Sequence, residues 1–297
     1  MTVYDTFCEF LITQEIKGNS EKTVAYYKNC ILPMIEFIGG QTDVSCLNAD
    51  VLRSYALYLH RRDISDNSFK TYIKGIKAYL HWLYDEEYTN TNFSDKLKLP
   101  KAQRKTIDVL TSSELKELFS SFDTKSFCGL RNYCICALMS DSGLRRSEII
   151  NLKVSDVHIF ESYAIVNGKG NKQRIVPLGN VSKKYLIKYI NMRKSETQAD
   201  SLFLTKQNSP ITNATIARIF KTLQAQKVAE GRLTRRIYPH LLRHTFATAY
   251  LENGGNIYAL QQILGHTTLD MVKKYVHLTQ AKTVVNFKKY SPLDNLR

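Results

Sequence analysis

Helical periodicity runs through the first part of this 297-residue chain and then stops. Apolar residues recur three and four apart over 4–14 (Phe7, Leu11), 20–38 (Val24, Tyr27, Ile31, Ile35), about 48–60, and about 67–84 (Tyr72, Ile76, Leu80, Leu83). That spacing predicts four amphipathic helices, the second closing at Gly39-Gly40. From Thr89 to Lys105 the pattern fails. A turn-like Thr-Asn-Thr-Asn-Phe-Ser run gives way to an extended basic stretch broken by Pro100. We read residues 96–107 as an interdomain linker, between an all-α domain over 1–95 and a second domain over 108–297. Two domains also suit the length.

The second domain opens with a capping box, Thr111-Ser-Ser-Glu114, ahead of Leu115, Leu118, Phe119 and Phe122. Around Tyr133-Cys-Ile-Cys-Ala-Leu-Met the chain reads as a buried helix. Strands are expected at 163–167 and 173–177, joined by the turn-rich Gly168-Lys-Gly-Asn-Lys172. Helices follow to the end. The fold class is therefore a mainly α second domain with a small antiparallel sheet.

Charge separates the two halves. Residues 1–100 hold 11 basic and 13 acidic residues, a net of −2, whereas the remainder holds 31 and 14, a net of +17. A field that positive, built into a folded domain, draws polyanions, and nucleic acid is the commonest such partner. In the first domain Lys70, Lys74 and Lys77 fall i, i+4, i+7 on the face opposite the apolar stripe, which suits a phosphate-contacting ridge. Apolar runs are far too short to cross a bilayer, and Asp5 and Glu9 do not suit a signal peptide, so a soluble cytoplasmic protein is expected. The six cysteines have no zinc-like spacing and read as reduced, mostly buried thiols.

Four stretches of the basic domain could carry chemistry: Gly143-Leu-Arg-Arg-Ser-Glu148, the hairpin loop with Lys169, Tyr238-Pro-His-Leu-Leu-Arg-His-Thr-Phe246, and the run from Leu264-Gly-His266 to Tyr275. Each is weak alone. His240 and Arg243 are i, i+3 on one predicted helix, with Pro239 at its first position and a positive N-terminus nearby. Asn256 suits the cap of the next helix and Gly265 its end. Together they supply two arginines, a lysine, two histidines and a tyrosine, with no carboxylate cluster for a metal. Arginine forks match phosphate oxygens, lysine or histidine can move protons, and tyrosine is a competent nucleophile. Such a set suits metal-free attack on a phosphodiester.

The order Gly-Leu-Arg, Gly-Lys-Gly, His-x-x-Arg, Leu-Gly-His and Tyr resembles the tyrosine recombinases, the integrase family. The resemblance implies their fold, an all-α SAM-like core-binding domain before the catalytic domain. It implies that Arg145 and Arg243 bind the scissile phosphate, Lys169 is the general acid and His240 the general base. His266 would hydrogen-bond the phosphate, and Tyr275, nine residues later, would form a 3′-phosphotyrosyl bond. Glu148 would orient the basic groups. Lys172 is a second candidate acid, and Arg146, Lys101, Arg104 and Lys105 join the lysine ridge as expected DNA contacts. His244 and His277 are given structural or peripheral roles, and Tyr250, Tyr258 and Tyr290 packing or DNA contacts.

The resemblance further implies a clamp on duplex DNA with inverted-repeat core sites, without an added arm-binding domain. It also implies a tail that packs on a neighbouring protomer, a homotetramer on two DNA sites, and cleavage by each subunit's own tyrosine at the bacterial nucleoid. No cofactor is expected, while an accessory protein or second recombinase remains open. The errand is integration and excision of a mobile element or dimer resolution. The alternatives are a type IB topoisomerase-like enzyme and a non-catalytic DNA-binding regulator.

Overall fold

The computed structural model describes residues 1–97, 107–168, 172–193, 200–229, 235–266, 268–269, 271–273 and 275. The chain divides into two compact units, Met1–Arg104 and Lys105–Arg297.

The first unit is helical: α1 (Val3–Ile16), α2 (Glu21–Ile38), α3 (Ala49–Arg61) and α4 (Asp66–Asp85). Each starts where a short polar side chain accepts from the first-turn amides, at Thr2, Ser20, Asn48 and Ser65. Helix α4 is the hub, burying Phe69, Ile73, Ile76, Tyr79, Leu80 and Leu83. It meets α2 closely at Gly75, where a Cβ would lie 2.4 Å from that of Cys30. Glycine is what permits that approach.

The second unit is built on α6 (Phe127–Asp141), whose Leu130, Cys134, Ile135, Cys136, Leu138 and Met139 are all buried. Against it pack α5 (Ser112–Ser120), α7 (Arg146–Asn151), α8 (Asn180–Met192) and α10 (Pro239–Glu252), while α9 (Asn213–Ala229) lies on α7 and α11 (Ile257–Leu264) on α10 and the sheet. The Thr111–Glu114 capping box is formed at the head of α5.

The sheet has three antiparallel strands in the order β1 (Val157–His158), β2 (Tyr163–Asn167), β3 (Gln173–Pro177), with Asn167 opposite Gln173. Sequence reasoning expected two strands; β1, two residues long, is too short to show a period. Cys30, Cys134 and Cys136 are buried, Cys8 and Cys128 half-buried and Cys46 exposed, all as free thiols. Burial is thus less general than the sequence reading expected. No described helix is long and apolar enough to cross a membrane.

Candidate active site

Gly143 turns the chain with φ +66°, and α7 then begins with Arg145 as its N-cap residue. Glu148 is the third helical residue, so the two meet through the cap. The Arg145 amide donates to Glu148 Oε2 at 2.7 Å, and its Nη1 donates to Oε1 at 2.9 Å. From β3, Arg174 grips the same carboxylate with both prongs, Nη1 to Oε1 at 2.7 Å and Nη2 to Oε2 at 2.9 Å. Glu148 is only 4% exposed. Burial pushes its pKa up, but the hydrogen bonds and charge of Arg174, then of Arg145, outweigh burial and hold it near 2.

The C-terminus of α11 organises the rest. Gly265 takes the left-handed conformation that ends a helix (φ +61°), which leaves carbonyls to be satisfied from outside. Three consecutive carbonyls each accept from a different arginine: Ile263 from Arg174 Nε at 2.6 Å, Leu264 from Arg243 Nη2 at 2.7 Å, and Gly265 from Arg145 Nη2 at 3.3 Å. The negative end of the helix dipole faces these cations.

Arg243, from α10, is 3% exposed. It also donates Nη1 to the Gly143 carbonyl and Nη2 to His266 Nε2 at 3.1 Å. A guanidinium only donates, so the His266 nitrogen accepts and the ring is neutral in this contact. Burial first, then the charge of Arg145, lowers the Arg243 pKa to about 9. Tyr275, 1% exposed and within a helical stretch, places its hydroxyl 2.7 Å from His244 Nδ1. Burial raises the phenol's pKa against the lowering charges of Arg243 and Arg145.

Three guanidiniums against one carboxylate leave this cluster with net charge +2. Beside it opens a cleft of about 820 Å³ whose lining includes Arg145, Glu148, Lys172, Arg174, Gly265 and His266. A concave, cationic surface with arginine forks suits a phosphate oxyanion. Among the described residues, no group of three or more His, Cys, Asp or Glu side chains could hold a metal ion.

Arg145, Arg243, His266, Tyr275 and Glu148 therefore gather in one place. His240 is exposed at the start of α10, its ring centroid 6.3 Å from that of His244. Lys169, Lys101, Arg104 and Lys105 lie outside the described residues. Arg146 is exposed at the first position of α7. On α4 of the other unit, Lys74 is exposed, Lys70 is half-buried, and Lys77 is half-buried with Nζ donating to the Leu97 carbonyl at 3.4 Å.

Sequence reasoning missed two contacts. Arg174 was not singled out within the strand expected at 173–177, yet it shares the inward phase of β3 with buried Val176, a signal that strand alternation offered. His244, given a structural or peripheral role, lies in contact with Tyr275.

The Glu148 pKa has a consequence for stability. Its folded pKa lies below its ordinary 4.5, so it stabilises the protein above that value and loses the contribution as pH falls toward 2. In urea unfolding, the stability gap between wild type and Glu148→Gln should narrow by about 3 kcal/mol across that range. A constant gap would show that the arginines do not hold the carboxylate in this way.

Comparison with known proteins now places the chain. Residues 108–282 match the phage integrase family and residues 2–99 its SAM-like domain. Tyrosine recombinase XerD of Oceanobacillus iheyensis is 30% identical over 285 residues, covering 93% of this chain and 94% of the relative. Tyrosine recombinase XerC of Anoxybacillus flavithermus is 30% identical over 282 residues, 92% of each. Among solved structures, the Tn1549 transposon integrase with transposon right end DNA matches at a TM-score of 0.80 and 18% identity, over 98% of this chain and 99% of that one. XerA recombinase matches at 0.53 and 27%, over 97% and 98%. Fold and site define a mainly helical DNA recombinase with an N-terminal SAM-like domain. The chain belongs to the phage integrase family, the tyrosine recombinases.

Proposed function

We propose that this site-specific recombinase cleaves and rejoins duplex DNA through a 3′-phosphotyrosyl bond on Tyr275. The observation that carries this reading is the arginine cluster. Its excess charge faces a cleft, and a non-bridging phosphate oxygen is the oxyanion its forks fit. In this reading Arg145, Arg243 and His266 hold the scissile phosphate, and Glu148 with Arg174 fixes the Arg145 fork. Lys169 protonates the leaving 5′ oxygen, with Lys172 as the second candidate. The new ester keeps the phosphodiester energy, so rejoining needs neither ATP nor metal.

The structurally similar Tn1549 integrase, solved with transposon right end DNA, supports duplex DNA as the substrate. A dimer on inverted-repeat core sites and a tetramer on two sites are the finer expectation, with both units contributing basic residues to the grip. Affinity would then fall steeply with salt, because the counterions released on binding gain less entropy as the bulk salt concentration rises.

The test is a nicked suicide duplex, selected for binding from a randomised pool and incubated with the protein in EDTA. A protein–DNA adduct surviving a denaturing gel is expected. Tight binding with no adduct would favour the non-catalytic regulator.

A further inference from the structure

We propose that Arg174 is a positioning residue for the phosphate-binding fork of Arg145: it occupies Glu148, so that Arg145 is aligned by that carboxylate yet left free to face the cleft. This rests on the reading of Arg145 as a ligand of the scissile phosphate, and it gives a separate task to a residue that the family resemblance does not assign.

Both arginines meet one carboxylate, but not on equal terms. Arg174 takes both oxygens, Nη1 to Oε1 at 2.7 Å and Nη2 to Oε2 at 2.9 Å, while its Nε donates to the Ile263 carbonyl at 2.6 Å. Three of the five N–H groups of its guanidinium are thus spent on fixed protein acceptors. Two glycines close around it. A Cβ on Gly265 would lie 3.0 Å from Arg174 Cδ, and one on Gly168, at the base of the hairpin, 3.7 Å from Nη1. The Arg174 side chain is 12% exposed and that of Arg145 29%. Arg145 reaches Glu148 with one prong of its fork, Nη1 at 2.9 Å, and the Gly265 carbonyl with the other at 3.3 Å. A two-pronged grip is the stronger claim on a carboxylate. Arg174 therefore holds Glu148, and Glu148 in turn sets where the Arg145 guanidinium stands at the cleft.

Without Arg174, both oxygens of a buried carboxylate would be open to the Arg145 fork. A buried charge short of partners is costly, so Arg145 would turn onto Glu148 and away from the phosphate. The holding needs a planar fork. A lysine at 174 would carry the charge but could not span two carboxylate oxygens and the Ile263 carbonyl together.

Single-turnover adduct formation on saturating nicked suicide duplex tests this, each variant being assayed below its melting transition. Arg174→Gln and Arg174→Lys should each slow the step by roughly 10- to 100-fold, the loss expected when a catalytic group is misplaced by about 1 Å. Affinity by gel shift should stay within about threefold of wild type, because many phosphate contacts share the binding. Adding Glu148→Gln to Arg174→Gln removes the carboxylate that would capture Arg145, so the double variant should be at least as fast as Arg174→Gln alone. A merely structural role would make the two losses multiply, and that result overturns the proposal. So does an Arg174→Lys rate within about threefold of wild type, because charge would then suffice. A duplex with sulfur as the bridging 5′ atom, which departs without being protonated, should not restore the Arg174→Gln rate. Restoration would overturn the proposal, since Arg174 would then serve the general acid on the hairpin. Adduct formation at the wild-type rate by Arg145→Ala would instead overturn the phosphate reading beneath it.

Discussion

Tyr275→Phe should form no covalent adduct on a nicked suicide duplex while still binding it with wild-type affinity. The substitution removes one oxygen. That oxygen is the proposed nucleophile, and the remaining described tyrosines offer none in its place beside the arginine cluster. Loss of a covalent nucleophile removes at least about 10⁴-fold of the rate, since no partial version of the step survives. Binding should hold because the proposed function gives the phosphate contacts to Arg145, Arg243 and His266, not to the phenol. Stability should fall by only about 1 kcal/mol, the worth of the buried hydrogen bond to His244. An assay that separates binding, by gel shift, from adduct formation, by denaturing gel, reads both at once. Loss of binding together with the adduct would contradict the division of labour.

Arg243→Ala should have the second-largest effect, and a different signature. Removing one preorganised donor to a developing oxyanion costs about 3–4 kcal/mol of barrier, or roughly 10²–10³ in rate. Arg243 is also structural, since its guanidinium satisfies the Gly143 and Leu264 carbonyls in a buried setting. Alanine would leave both without their donor and cost a few kcal/mol of stability besides. Arg243→Lys separates the two roles. It keeps a positive charge but lacks the planar fork that reaches two carbonyls and His266 together and that the proposed function also turns to the phosphate. Adduct formation should remain down by at least about 10²-fold in the lysine variant, with DNA binding largely kept. A lysine variant as fast as wild type would show that charge alone suffices and that the fork geometry is incidental.

Much of this fold could be read from local chemistry. The caps at Thr2, Ser20, Asn48, Ser65 and Thr111 are short polar residues whose preference for helix starts is intrinsic. Asn256 and Gly265, the predicted bounds of α11, likewise take their expected conformations. What stayed hidden depends on residues far apart in the chain. The Arg174–Glu148 contact spans 26 positions, that of His244 with Tyr275 spans 31, and Arg145 reaches Gly265 across 120. A period or a cap signal carries no information about which helix end will collect three arginines. The family resemblance named most of the gathered residues, yet it passed over Arg174 and set His244 aside. Alternation along β3 turns Arg174 inward, but its partners, like that of His244, are fixed only once β3 and α10 are packed against the end of α11 and the segment that carries Tyr275.

The central claim is that one particular oxygen becomes joined to DNA. Its most direct measurement is peptide mapping of the adduct: digest the trapped complex with protease and nuclease, then locate the nucleotide-bearing residue by tandem mass spectrometry. The account predicts a phosphodiester on Tyr275. A nucleotide on Tyr250, Tyr258, Tyr290 or any other residue would contradict it.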